Sequence, residues 1–213
     1  MTPVLIENFS VTIDTVEVRR YLGSKDRKRP APGERYDDVL NEVLRAAKGL
    51  VAPRGIYTYA AGRELGGPAG FTRLDRMAVC VSTIGPALEA EVTRLSGTGE
   101  LLKAVVLDSI GSVAAEAVAD YIDRIIGAEA AREGLKTSCR ASPGYGDWDV
   151  RGQAAVFRLL PAERIGVRLS ETFMMAPRKS ISFAMHVAGE PERLRSQNSC
   201  GNCGRTDCLY RLE

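Results

Sequence analysis

The sequence predicts a protein that mixes helices with strands, and three observations carry that expectation. Glu100 to Ile126 keeps a helical pattern over the longest stretch of the chain. Met77-Ala-Val-Cys-Val-Ser-Thr-Ile84 is a short, apolar, β-branched run of the kind buried strands show. Near the end, Ile165 to Met175 and Ser180 to Val187 read as two strands joined across Pro177-Arg-Lys179, a β-hairpin with a three- or four-residue turn.

The totals bound what such a fold can do. With 213 residues, 45% of them hydrophobic, the chain suffices for one large domain or two small ones with a real core. The 29 basic and 27 acidic residues nearly balance, whereas a nucleic-acid binder usually carries a basic excess or stripe. The densest basic run, Lys25-Asp-Arg-Lys-Arg29, leads straight into Pro30-Ala-Pro-Gly33 and reads as a solvated linker. Thr2 to Ile13 lacks the apolar run of a signal peptide, and no stretch is long and apolar enough to span a membrane. The expectation is a soluble, cytoplasmic protein with no nucleic-acid and no membrane partner.

Taken in order, Met1 to Asp14 alternates weakly through Val4, Ile6, Phe9, Val11 and Ile13, as a strand would. Thr15 is placed to cap a short helix, Val16 to Leu22, stopped by Gly23. After the basic linker, Tyr36 to Leu50 is amphipathic, with Val39, Val43, Ala46, Ala47 and Leu50 on one side. Gly55 to Gly62 reads as a strand and Gly66-Gly-Pro-Ala-Gly70 as a turn. Cys80, inside the apolar run 77–84, reads as a small buried hydrophobe. Gly85-Pro86 opens a helix that runs to Leu95, proline being suited to the first helical turn. Gln153 to Leu160 completes the helices. His186, the only histidine, sits in a strand and reads as structural.

Three features carry candidate chemistry. Cys139-Arg-Ala-Ser-Pro-Gly-Tyr-Gly-Asp-Trp148 is a loop by composition. Arg140 could bind a carboxylate in bidentate fashion, and Tyr145 and Trp148 could form a wall. Residue types alone leave an ordinary turn equally open. On the long helix, Asp108, Ser112, Glu116 and Asp120 fall four apart and share one stripe, flanked by Gly111, Ala115 and Ala119. That stripe is either a solvated face or a polar pocket wall. Last, Cys200, Cys203 and Cys208 form C-x2-C-x4-C in a polar tail. The spacing serves an iron–sulfur cluster or zinc, with free thiols the alternative. Cys139, Cys80, Asp207, another subunit or an exogenous group would complete the ligand set.

In three ordered blocks the chain resembles the reactivation domain of cobalamin-dependent methionine synthase. Arg140-Ala-Ser-Pro-Gly-Tyr145 is similar to the R-x-x-x-G-Y loop that binds S-adenosylmethionine (AdoMet) in that family. Ala115-Glu-Ala-Val-Ala-Asp-Tyr121 resembles the A-E-A-x-A-E-Y block of its long helix. Ile165 to Pro177 followed by Ser180-Ile-Ser182 resembles its T-E-S-F-A-M-x-P…S-V-S hairpin. Two blocks depart from the pattern: Gly146-Asp-Trp-Asp149 after the loop, and Ala184-Met185 where the family has Trp-Tyr.

The resemblance implies an α+β fold, a curved antiparallel sheet flanked by helices, with a helical N-terminal part and a short metal-binding tail. It implies three parts: an N-terminal segment and linker over 1–34, an AdoMet-binding domain over 35–190, and a cysteine-rich tail over 191–213. Arg140 would hold the AdoMet carboxylate, Glu116 would face its amino group, and Ser142, Gly144 and Tyr145 would complete the loop. Glu171 and Ser180 lie at matching hairpin positions. The implied activity is that of a methyltransferase component, the AdoMet-dependent reductive remethylation of cob(II)alamin. The cobalamin would be carried by a partner corrinoid protein or a core methionine synthase, and the electron would come from a donor such as ferredoxin or flavodoxin. The rival expectation is a non-catalytic docking module for a corrinoid protein with a structural zinc tail.

Overall fold

A computed structural model describes residues 2–22 and 34–192. The order is β1 (Val4–Ile6), α1 (Thr15–Tyr21), α2 (Glu34–Ala47), β2 (Arg54–Ala60), β3 (Met77–Thr83), α3 (Ala87–Gly97), α4 (Leu101–Arg132), β4 (Lys136–Thr137), α5 (Gln153–Leu159), β5 (Arg168–Leu169), β6 (Met175–Ala176) and β7 (Ser180–Ala188). Five strands form one antiparallel sheet in the order β1-β2-β3-β7-β4. The expected α+β architecture with an antiparallel sheet is therefore present.

Helices cover one face of the sheet, and loops with α5 cover the other. Strand alternation sorts the side chains between the two layers. Tyr57, Ala78, Cys80, Phe183 and Met185 face α1 to α4 in one apolar cluster. Ile56, Met77, Val79, Val81 and Ala184 face Phe71, Trp148, Val156 and Ile165 in the other. A strand sandwiched in this way needs apolar residues at consecutive positions, and all seven residues of β3 are buried. Cys80 is accordingly a core residue, and burial pushes its thiol pKa well up. His186 is buried, and its Nδ1 accepts the Glu192 backbone N–H at 2.9 Å, as befits a structural residue. Burial also lowers its pKa.

Helix α4 is the spine. It continues past Ile126 to Arg132 because Ala-Glu-Ala-Ala, a run of strong helix formers, follows Gly127. A side chain at Gly111 would collide with Leu88 of α3, so this glycine lets the two helices approach closely. Helix α1 packs through buried Val18, and α2 through Leu40, Val43 and Ala47. Ala46, expected on the apolar side, is exposed; the face follows i, i+3, i+7 instead. The cap of α1 is Asp14 rather than Thr15, since the Asp14 carboxylate accepts the Val16 N–H at 2.8 Å.

The largest difference from expectation is at the hairpin. Ile165 to Met175 is not one strand paired with β7. Arg168–Leu169 pairs instead with Met175–Ala176 in a separate two-stranded ribbon. Between them the chain turns at Phe173, which has φ 61°, and Ser170 Oγ accepts the Met174 N–H at 3.0 Å. That side-chain bond offers the backbone an alternative to continued strand. Free of that partner, β7 inserts between β3 and β4, with Thr83 opposite Ser180 and Thr137 opposite Val187.

Candidate functional site

The Arg140 loop is fixed to the sheet on both sides of the arginine. Ser138 N–H donates to the His186 carbonyl at 2.9 Å, and Ala141 exchanges two hydrogen bonds with Ala184 at 2.9 and 2.8 Å. Beyond it the chain makes a tight turn, with Gly144 at φ 89° and its N–H donating to the Trp148 carbonyl at 2.7 Å. The positive φ is what the glycine supplies here. Trp148 is no ligand wall: it is 2% exposed and packs edge-on against Phe71, with ring centroids 5.0 Å apart. Tyr145 remains 54% exposed.

This anchoring inserts the Arg140 side chain, 10% exposed, between the sheet and α4. Its guanidinium lies 5.4 Å from the Phe183 ring centroid. Three α4 carboxylates surround it. Nη2 donates to Asp120 Oδ1 at 2.8 Å and to Glu116 Oε2 at 3.4 Å, and Nε lies 3.6 Å from Asp123 Oδ2. Nη1 is buried and has no hydrogen-bond partner. A buried donor without an acceptor is costly. Burial raises the pKa of Glu116 and Asp123, an effect the guanidinium partly offsets. One positive charge among three negative ones leaves the cluster net negative.

The same carboxylates line a cleft of about 870 Å³ on the outer side of α4. Glu116, Asp120 and Asp123 form one wall together with Tyr121 and Arg124. The opposite wall comes from the N-terminal segment: Ser10, Thr12, Asp14, Glu17, Arg20 and Tyr21. Phe9 ties the two walls together by stacking on Tyr121 at 4.3 Å.

Of the expected site residues, Glu116 and Arg140 meet directly, and Ser142, Gly144 and Tyr145 follow in the anchored loop. Of the expected residues Glu116 alone lines the cleft; Arg140 stands behind that wall, and neither it nor these three reach the cleft surface. Ser180 is buried, its hydroxyl 2.7 Å from the Pro177 carbonyl and 2.9 Å from Thr83 Oγ1. Glu171 is exposed in the turn before β6. Cys200, Cys203 and Cys208 lie outside the described residues; among the described residues no group of His, Cys, Asp or Glu is arranged to hold a metal ion. Sequence reasoning missed Asp123, although it stands seven residues after Glu116, on the helical period. It also missed the N-terminal wall, which no motif marks.

The site defines a class first: an α+β domain whose central helix presents carboxylates to a buried arginine and to an open cleft. Residues 68–193, more than half of the chain, match the family described as vitamin B12 dependent methionine synthase, activation domain, and the chain belongs to that family. The fold is also similar to a crystal structure of the MetH reactivation domain bound to AdoHcy. That similarity has a TM-score of 0.64 at 14% identity and covers 91% of this chain and 81% of the other. A comparison with curated proteins returned no match. Among the described residues no helix is long and apolar enough to cross a membrane.

Proposed function

We propose that this chain binds AdoMet in the cleft along α4 and serves the reductive remethylation of cob(II)alamin on a partner corrinoid protein or core methionine synthase. The observation that carries the reading is the buried Arg140 guanidinium with Nη1 unpartnered. Nη1 lies behind the Glu116 and Asp120 wall, and a carboxylate, the group that an amino-acid ligand brings, would complete it where α4 and the Arg140 loop part to admit the ligand. Glu116, beside it on the cleft wall, would accept from the ligand ammonium. Ser142, Gly144 and Tyr145 hold Arg140 in place through the turn that follows it. The AdoHcy in the similar crystal structure supports a nucleoside of this kind as the ligand.

AdoMet supplies a sulfonium methyl, and the partner's corrinoid supplies the reduced cobalt that accepts it. The protein's part is placement, which converts a bimolecular encounter into an oriented one. A ferredoxin or flavodoxin would bring the electron, and a cluster on Cys200, Cys203 and Cys208 would relay it. Metal analysis after anaerobic purification tests the relay, since stoichiometric zinc without iron would replace it with a docking tail. Isothermal titration tests the site: wild type binds AdoMet, and Arg140→Ala weakens binding by about two orders of magnitude. Equal affinities would remove the clamp.

A further inference from the structure

We infer that Ser138 is a positioning residue: its hydroxyl holds a β-bulge that turns the Arg140 side chain toward α4. Its importance for binding rests on the AdoMet reading above, because Arg140 is the side chain it aims.

Thr137 lies opposite Val187, and Ala141 lies opposite Ala184. The chain thus takes four steps, 137 to 141, where β7 takes three, 187 to 184. With Ser138 bonded to His186, Cys139 and Arg140 share the place opposite Met185. Two residues against one is a β-bulge. In an unbroken strand side chains alternate between the layers, so a slip of one residue exchanges them. Thr137 stands on the α4 side, where a Cβ at Gly127 would lie 3.8 Å from its Oγ1. Regular alternation from there would turn Cys139 toward α4 and Arg140 toward the opposite layer. The structure shows the reverse. Cys139 is exposed, Arg140 reaches Glu116 and Asp120 on α4, and Ala141 joins Ala184 and Trp148 in the opposite layer. The extra residue is what brings the arginine to the carboxylates.

Ser138 stands where the ladder gives way. Its N–H donates to the His186 carbonyl at 2.9 Å, as in a regular antiparallel pair. The return bond comes to its side chain: His186 N–H donates to Ser138 Oγ at 2.9 Å. The same hydroxyl donates to the Cys139 carbonyl at 2.8 Å. One O–H therefore satisfies the partner strand and ties down the first residue of the bulge. A side-chain acceptor of this kind competes with the backbone for the ladder bond. Without it, the His186 N–H, in a buried residue, would need the Ser138 carbonyl, which is the regular register. That register carries Arg140 to the wrong face of the sheet.

The test uses the full chain and two measurements: AdoMet affinity by titration calorimetry, and alkylation of Cys139 by iodoacetamide, followed by peptide mass spectrometry. Ser138→Ala should lower AdoMet affinity by about tenfold, since the buried N–H can then be satisfied only in the regular register. It should also slow alkylation of Cys139 by at least about fivefold, because that register turns the thiol toward α4. Ser138→Thr keeps the hydroxyl and should stay within about twofold of wild type in both measurements. Deleting Cys139 removes the extra residue and leaves Arg140 opposite Met185, on the α4 side. In that background Ser138→Ala should change affinity by less than about twofold, and this pair carries the test if Ser138→Ala alone does not fold. Wild-type affinity and alkylation in Ser138→Ala, an equal loss in Ser138→Thr, or an undiminished loss in the deletion background overturns the role and leaves the AdoMet reading standing. If wild type does not bind AdoMet, that reading falls, and the alkylation rates alone decide the bulge.

Discussion

The polar stripe of α4 meets a cation at each end, and the two ends behave differently. At the first, Lys179 Nζ lies 2.9 Å from Asp108 Oδ1 and donates to Ser112 Oγ at 2.8 Å. The Lys179 backbone N–H donates to Glu89 on α3 at 2.9 Å. One cation has one carboxylate and one hydroxyl, and both partners are used up. At the second, Arg140 has three carboxylates for one charge, one buried donor with no acceptor, and an open cleft beyond. A satisfied pair pins the turn before β7 to the helices. An unbalanced, half-satisfied cluster is what a ligand can complete. Spacing along the helix is the same at both ends, so it is the bookkeeping of donors and charges that separates scaffold from site.

The comparison breaks most decisively at Arg140. Arg140→Ala should lower AdoMet affinity by roughly a hundredfold, on the order of 3 kcal/mol. It should also lower the melting temperature, because it leaves three carboxylates facing one another without a counter-charge. Glu116→Gln comes next. It keeps the shape and removes one charge, so affinity should fall by about tenfold. Because burial raises the Glu116 pKa, the native state disfavours its charged form, and neutralising it should leave the melting temperature at pH 7.5 unchanged or higher. A variant that loses binding and gains stability is the signature of a functional group held at a structural cost. If Glu116→Gln instead melts markedly lower, the residue belongs to the scaffold.

Lys179→Met sharpens the contrast from the other end. The substitution keeps the apolar stem of a side chain that is 13% exposed and removes the ammonium. Stability should fall by about 1–2 kcal/mol in chemical denaturation as Asp108 and Ser112 lose their partner. AdoMet affinity should stay within about twofold of wild type. A large loss of affinity would mean that the turn before β7 reaches the ligand and that the two ends of the stripe act together.

How much of this was legible beforehand follows the same division. Periodicity located β3, α4 and β7, because each is long and its apolar pattern is set by the layers that cover it. It failed at Ile165 to Met175, where apolar residues look like a strand but Ser170 closes a turn on Met174 and the ribbon pairs with itself. It could not see β4, two residues recruited by the edge of β7. Within the site, Glu116 and Arg140 were visible as a stripe and a loop motif. Their contact, across 24 residues, was not visible from spacing alone. Asp14, Glu17 and Arg20 face the cleft because β1 joins β2 and Val18 enters the core, a tertiary consequence with no local signature.

The smallest expected effect is on pH. Glu116 and Asp123 both have raised pKa values, with burial the first cause; Arg140 opposes the shift at both, Asp120 adds to it, and Arg124 opposes it at Asp123. A raised carboxylate pKa means protonation begins at a higher pH than in the unfolded chain. As pH falls through that range, the α4 wall loses negative charge while the guanidiniums keep theirs. AdoMet, whose ammonium Glu116 would accept, should then bind more weakly. As pH is lowered from 7.5, AdoMet affinity should begin to fall at a higher pH than carboxylates with ordinary pKa values would produce. Folding runs the opposite way: the raised pKa values cost stability only while the groups are charged, so this contribution is largest above the folded-state pKa values and fades as they protonate. Binding and stability should therefore move in opposite directions as Glu116 and Asp123 protonate. Titrations of AdoMet at four or five pH values, each paired with a melting curve, check that opposition. Parallel loss of affinity and stability would instead assign the pH effect to the fold as a whole.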